Sequence, residues 1–268
     1  MWSPDGWEAR TRIGLLTPHA DIGPECEFQA MAPPEMTIHA TRVPFGAMAA
    51  GGGMDPTIPL APVRAFAESR HLDDAVDLLA AAPLDAIAFG FTSSAYVIGH
   101  DGEAAMIGRL AERSRGIPVV ATVATAVEAL RVLRVERLAV INPPWFDAEL
   151  DALGADYFAQ QGFDVVYHAP CSLPSDQHSI TPAELCDWVR DHLPDDAEGV
   201  FIGGNGFRAV GVIESLEHML GRRVLTANQV LLWGALRAAG VDVAVSGYGR
   251  LFTAGLPPIG SEHGRSPP

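Results

Sequence analysis

The chain has 268 residues, of which 48% are hydrophobic, which is ample for a substantial buried core and excludes a disordered protein. Its 18 Lys and Arg face 33 Asp and Glu, and the resulting net charge of -15 disfavours nonspecific binding to nucleic acid or to an anionic membrane. No apolar stretch approaches the ~20 residues of a membrane span and the start lacks a signal-peptide pattern, so we expect a cytosolic protein.

Short apolar runs rich in Val and Ile alternate with longer amphipathic stretches, which is typical of strand, crossover helix and parallel strand. Strands are predicted at 12–18, 36–45, 85–91, 118–123, 137–143, 163–169, 199–204 and 223–227. Helices are predicted at 62–82, 101–115, 124–134, 146–161, 181–193, 207–220 and 228–239. Most of the strands are almost continuously hydrophobic, which indicates sheets that are buried on both faces by helices.

The strands divide into two similar sets of four, and the third strand of each set ends in small or hydroxyl residues. These ends read "GFTSS" (90–94) and "GGNGF" (203–207). Ligands of parallel sheets bind at the carboxyl ends of strands, where helix N-termini offer unpaired N–H groups to anions. The pattern therefore predicts an α/β fold of two pseudosymmetric parallel-sheet lobes with a cleft between them. The alternative is that small residues only permit tight strand-to-helix turns.

Two segments have too little pattern for regular structure. Residues 44–64 are rich in Gly and Pro and predict a long loop over the first lobe, either a lid or an ordinary mobile surface loop. The tail 255–268 is predicted to be a poorly ordered terminus. We divide the rest into a first lobe, 1–123 plus 229–268, and a second lobe, 124–228.

Cysteine and histidine patterns give no sign of a metal. Cys26, Cys171 and Cys186 are odd in number, widely spaced and without a CxxC pair, and the nine histidines include no HExxH motif. We therefore predict neither a disulfide framework nor a metal site.

Taken together, the motifs resemble the aspartate/glutamate racemase superfamily, and within it the branch of maleate isomerase and arylmalonate decarboxylase. The likeness covers roughly 12–253 and rests on the order and spacing of several pieces. These are "RIGLLTP" (12–18), "FTSS" (91–94), "GIPVVATVATAVEALRVLRVERLAVINP" (116–143), "GGNGFRAV" (203–210), "TANQVLLWGALRAAG" (226–240) and "GYGRLF" (247–252). The resemblance implies two lobes around an active site, cofactor-independent chemistry next to a carboxylate, and dimers or larger homo-oligomers.

The resemblance also exposes a departure from the family. Its members act with cysteine thiols at one or both of two mirrored positions, which correspond here to Phe91 and Gly204. A thiol becomes a thiolate in a suitable environment, whereas a hydroxyl needs an adjacent general base. Neither Phe91 nor Gly204 has a thiol or a hydroxyl group, so neither can supply a thiolate or an activated hydroxyl. Cys26 is the only cysteine close in sequence to a cleft loop, and the alternative for it is an inert thiol.

The binding half of the family machinery is retained. The resemblance implies that Thr92 and Ser93 bind a carboxylate, with Phe91 beside them. It also implies that Gly204, Asn205 and Gly206 form a mirrored nest of backbone donors. Such a site would stabilise a carboxylate or an enolate-like charge without a thiol.

A missing acid or base must then come from other loops at the cleft. His19 and Asp21 follow the first strand and are the candidates for moving protons, although each could equally be a surface or capping residue. Trp145 lies near the place of a substrate-contacting tyrosine, and it could stack on a planar or cationic substrate or only pack in the core. Arg208 could pair with a substrate carboxylate or with an acidic neighbour.

Two functions remain open. The first is an isomerase, decarboxylase or related lyase that acts at the α-carbon of a small carboxylate. The replacements at 91, 145 and 21 favour a substrate less anionic than maleate, with an amine or a cyclic group of the ectoine type. The second is a catalytically inactive protein that binds a small carboxylate or has a regulatory role, which is supported by the loss of both cysteines.

Overall fold

Two four-stranded parallel sheets form the protein, in a computed structural model that describes residues 6–53 and 55–254. The first sheet has the order β2-β1-β3-β4 and contains β1 (Thr11–Pro18), β2 (Met36–Val43), β3 (Ala86–Phe89) and β4 (Val119–Ala121). The second has the order β6-β5-β7-β8 and contains β5 (Arg137–Asn142), β6 (Asp164–Pro170), β7 (Gly199–Ile202) and β8 (Arg223–Thr226). The predicted α/β fold of two similar parallel-sheet lobes is confirmed.

Helices connect these strands and cover the sheets. They are α1 (Gly23–Met31), α2 (Leu60–Ala67), α3 (Arg70–Leu79), α4 (Thr92–Arg113), α5 (Thr122–Val132), α6 (Ala148–Gln160), α7 (Pro182–His192), α8 (Ile213–Leu220) and α9 (Ala227–Ala238). Short 3-10 turns occur at Val210–Val212 and Leu251–Thr253. No helix among the described residues is long and apolar enough to cross a membrane.

The third strand of each lobe lies inside its sheet. The strand β3 pairs with both β1 and β4, and β7 pairs with both β5 and β8. Every residue of "AIAF" in β3 and of "GVFI" in β7 is buried, which explains why neither strand alternates between polar and apolar residues. The two central strands therefore end at equivalent places in their lobes.

Four helical regions differ from the sequence prediction, and one of them, predicted at 207–220, begins only at Ile213 after a 3-10 turn. The helix α1 was not predicted, because it is short and begins with Gly23 and Pro24, which usually signal a turn but are also compatible with a helix start. The predicted helix 62–82 is two helices, since Ser69 caps a new one by accepting from the His71 N–H at 3.0 Å. The helix predicted from 101 begins at Thr92, and Gly99, with φ of 70°, interrupts it.

The segment 44–59 crosses from the first lobe to the second. Phe45, Met48 and Ile58 are buried, and α2 begins at Leu60, so the predicted loop ends earlier than 64. The Ile58 N–H donates to the Trp145 carbonyl at 2.9 Å, and the Ser175 hydroxyl donates to the Pro56 carbonyl at 2.7 Å. These contacts fasten the segment to the second lobe.

The division into lobes at 123/124 and 228/229 stays a prediction. The last long helix, α9, packs on α5 and on the first-lobe strands β3 and β4, so the chain returns to the first lobe after β8. The predicted poorly ordered tail lies outside the described residues.

Candidate functional site

An inner cavity lies where the two central strands end and the lobes meet. It is small, about 20 Å³, which is room for a single water molecule. Asp21 and seven of the predicted binding residues line it. Those seven are Phe91, Thr92, Ser93, Trp145, Gly204, Asn205 and Gly206.

The two strand ends are bonded directly to each other. The Thr92 N–H and hydroxyl both donate to Asn205 Oδ1, at 2.8 and 2.7 Å. The Gly204 N–H donates back to Thr92 Oγ1 at 3.2 Å. Both donors of Thr92 are therefore satisfied by protein, and a ligand would have to compete with Asn205 for them.

Further donors of the cavity-lining residues have no protein partner. Within the described part of the chain, the Ser93 hydroxyl and the N–H groups of Asn205 and Gly206 donate to no acceptor. The Ser93 N–H lies in the first turn of α4, where a helix offers no acceptor. Together these groups form the strand-end nest, a set of donors that can receive a carboxylate oxygen.

The network continues from Asn205 to Asn228 and Glu27, neither of which is among the predicted site residues. Asn205 and Asn228 exchange hydrogen bonds, since Asn205 Nδ2 donates to Asn228 Oδ1 and Asn228 Nδ2 donates to the Asn205 carbonyl, both at 2.8 Å. Asn228 Nδ2 also donates to Glu27 Oε2 at 2.7 Å. Glu27 belongs to the buried face of α1, so only a correct prediction of that helix would have revealed it.

Among the described residues, Asp21 supplies the one carboxyl group that lines the inner cavity. It is 4% exposed, and its Oδ1 accepts from the Gly23 N–H at 2.9 Å. Burial raises its pKa to about 6, against the opposing effects of the Gly23 hydrogen bond, the Arg42 charge and a Gln177 hydrogen bond. Near neutral pH, Asp21 can therefore both hold and release a proton, as a general acid or base must.

Phe91 and Gly204, the two positions at which the resemblance predicts a family thiol, have other surroundings in the structure. Phe91 is buried, with its ring centroid 4.4 Å from that of Phe66 and 4.8 Å from that of Phe45. Gly204 has φ of +83°, and a Cβ there would lie 2.7 Å from Pro143 Cγ. Aromatic packing and a backbone turn thus replace both reactive groups.

Two predicted residues lie outside the inner cavity. His19 is exposed, its Nδ1 accepts from the Phe45 N–H at 3.1 Å, and it is not among the residues that line the cavity. Arg208 is exposed and lines a neighbouring cavity of about 490 Å³, the outer pocket, together with Cys26, Glu27 and Tyr248. Gln177 and Gly206 line both spaces and separate them.

None of the cysteines replaces the missing thiols at the inner cavity. Cys26 faces the outer pocket, and Cys186 is half-buried on α7. Cys171 is buried, its N–H donates to the Asn142 carbonyl at 2.8 Å, and burial raises the pKa of its thiol to about 12. No cysteine lines the inner cavity.

Stability is expected to fall as the pH rises from about 4 to about 7. Burial raises the pKa of Asp21 from 3.8 to about 6 and that of Glu27 from 4.5 to about 7. Over this range the folded state holds more protons than the unfolded state, so the free energy of unfolding decreases with pH. Urea unfolding at pH 5 and pH 8 measures the difference. The change should be smaller in Asp21→Asn and unaltered in Asp156→Asn, which changes an exposed aspartate.

The fold and the inner cavity define a two-lobed α/β protein with a small cavity, lined by hydrogen-bond donors, between its lobes. A family model described as arylmalonate decarboxylase matches residues 65–252. The chain belongs to this family. No curated protein matches it.

Solved structures share the fold at low sequence identity. Maleate isomerase Iso from Pseudomonas putida S16, in a cysteine-to-alanine variant with maleate, has a TM-score of 0.79 and 20% identity, covering 91% of this chain and 98% of that one. Maleate cis-trans isomerase from Nocardia farcinica, in a cysteine-to-serine variant with a covalently bound succinylcysteine intermediate, gives 0.75 and 23%, covering 90% and 98%. An arylmalonate decarboxylase gives 0.73 and 21%, covering 90% and 99%.

Proposed function

We propose that the protein is a cofactor-independent enzyme that acts at the α-carbon of a small carboxylate, as an isomerase, a decarboxylase or a related lyase. The observation that carries this proposal is that a buried acid, Asp21, shares one cavity with the strand-end nest. Family membership supports the same class of reaction. Homo-oligomeric assembly stays a prediction.

In the proposed reaction, the nest holds a carboxylate of the substrate. Ionised Asp21 removes the α-proton, and the electron pair of the broken C–H bond moves into the carboxylate as an enolate-like charge. In a decarboxylation, the C–C bond to a second carboxylate breaks instead, CO₂ leaves, and the bonding electron pair forms the same enolate-like charge. Protonated Asp21 then delivers its proton to the α-carbon. Backbone N–H groups and the Ser93 hydroxyl stabilise the charge that develops in either case.

The substrate is expected to be less anionic than maleate, with an amine or a cyclic group of the ectoine type. Phe91 and Trp145 give the inner cavity aromatic walls, which suit a planar or cationic group. The carboxylate of Asp21 would repel a second carboxylate and attract an amine. Arg208, at the mouth of the outer pocket, is the candidate for steering a carboxylate inward.

A substrate would require the inner cavity to open. At about 20 Å³ the cavity is too small for any carboxylate. Segment 44–59 supplies Phe45, Met48 and Ile58 to its lining. We therefore assign this segment as the lid that moves when substrate enters.

A second candidate is ligand binding without turnover. It is favoured by Phe91 and Gly204, because a ring and a backbone turn occupy both places where the family has thiols. In this case the strand-end nest would hold a small carboxylate, and Asp21 would interact with the ligand's charge without transferring a proton.

The test is a panel of small dicarboxylates, α-amino acids and ectoines, each incubated with the full chain in D₂O and followed by ¹H NMR. Loss of substrate, or exchange of its α-proton for deuterium, supports the enzyme. Thermal stabilisation by a compound that is neither consumed nor exchanged supports the binding protein. No turnover and no stabilisation by any member of the panel would contradict both.

A further inference from the structure

Glu27 is a buried acid that the proposed reaction does not use. It is 7% exposed, and its Oε1 accepts from the N–H groups of Ala209 and Val210 at 2.7 and 3.0 Å. Its Oε2 accepts from Asn228. Among the described residues it forms no ion pair, so its three partners are all neutral donors.

The charge of Glu27, together with the Asn205 carbonyl, fixes the direction of a chain of hydrogen bonds, because Asn228 Nδ2 donates to both. An ionised carboxylate only accepts, so Asn228 must present its NH₂ group to Glu27 and its Oδ1 to Asn205. Asn205 must then present its NH₂ group to Asn228. Its Oδ1 consequently faces the N–H and hydroxyl of Thr92.

We propose that Glu27 is a positioning residue of the inner site, whose carboxylate sets the orientation of the Asn228 and Asn205 amides and thereby holds both donors of Thr92. A proton on Glu27, or a glutamine in its place, supplies a donor towards Asn228. The Asn228 NH₂ group then keeps only the Asn205 carbonyl as acceptor, so the two amides are held less firmly and the hydrogen bonds of Thr92 to Asn205 Oδ1 weaken. Glu27 thus acts on the inner cavity without lining it.

Solvent reaches Glu27 from the opposite side. The residue lines the outer pocket, of about 490 Å³, through which protons can exchange with water. The titratable and charged groups around it are Asp21, whose charge raises its pKa, and the pocket residues Cys26, His178, Arg208 and Tyr248. Burial is the main cause that raises the pKa of Glu27 to about 7. The chain of hydrogen bonds therefore responds to changes of pH in the physiological range.

The experiment follows the ¹⁵N-labelled full chain by NMR between pH 5.5 and 8.5. The side-chain NH₂ signals of Asn205 and Asn228 and the Thr92 amide signal are expected to shift together, with one midpoint near 7. The protection of the Thr92 amide against hydrogen exchange should fall about tenfold on the acid side, because its hydrogen bond to Asn205 weakens. These signals do not require turnover.

Three variants isolate the residue responsible. In Glu27→Gln the common transition should disappear. In Glu25→Gln, which changes a neighbouring acid of α1 that pairs with Arg42, it should remain. In Asp21→Asn the transition should also remain, with a midpoint somewhat below 7 because the charge of Asp21 no longer raises the pKa of Glu27, whereas a transition of Asp21 itself would disappear. The proposal is overturned if the three signals of the wild-type protein move independently, or if they move in the same way in Glu27→Gln. The wild-type titration decides alone if that variant does not fold.

Discussion

Asp21→Asn is expected to lower the rate of α-proton exchange by about 10²- to 10⁴-fold, the usual contribution of a positioned general acid or base. Asparagine has nearly the same shape, and its Oδ1 can still accept from the Gly23 N–H. Its amide cannot take up or release a proton at neutral pH. The measurement is deuterium exchange into whichever compound the panel identifies, with circular dichroism to show that the variant folds.

The pH dependence of the α-proton exchange rate tests the role of Asp21 independently. Removal of an α-proton needs ionised Asp21, so the wild-type exchange rate should rise with pH, with a midpoint near 6. Asp156→Asn makes the same chemical change at an exposed position and should retain both the rate and the profile. If Asp21→Asn retained the wild-type rate, another group would move the proton, and His19 would return as the candidate.

The strands were predictable because each is a short apolar run between turn residues. Five of them, β1, β3, β5, β7 and β8, are largely buried, and all eight predicted strands occur in the structure. Helices were harder to place where glycine, proline or serine lies inside or beside them. Gly99 interrupts α4 and Ser69 divides α2 from α3, and a pattern of apolar residues reports neither kind of break.

The strand ends of the site were predictable for the same reason, since topology places the ends of β3 and β7 at equivalent points. The choice between His19 and Asp21 was not predictable, because it depends on which way each side chain points after β1. Glu27 was missed because its role depends on contacts with Asn228 and with Ala209 and Val210, far away in sequence. No local pattern encodes such contacts.

Restoring a side chain at the second thiol position is expected to destabilise the protein. Gly204→Ala should lower the free energy of unfolding by roughly 2–4 kcal/mol, from a positive φ and from overpacking. The φ of +83° is costly for any residue with a Cβ, and that atom would lie 2.7 and 3.0 Å from Pro143 Cγ and Cδ. For a chain of this size, the melting temperature should fall by roughly 5–12 °C.

Gly162→Ala separates these two causes. Gly162 has a similar φ of +90°, but nothing lies within 4 Å of its would-be Cβ, so the variant carries the conformational cost alone. It should lose about half as much stability or less. Gly204→Cys should behave like Gly204→Ala or worse, and gain no thiol chemistry, because Pro143 occupies the place of the side chain. If Gly204→Cys melted like the wild-type protein, the strand end could accept the family thiol, and its absence would reflect the substrate rather than the backbone.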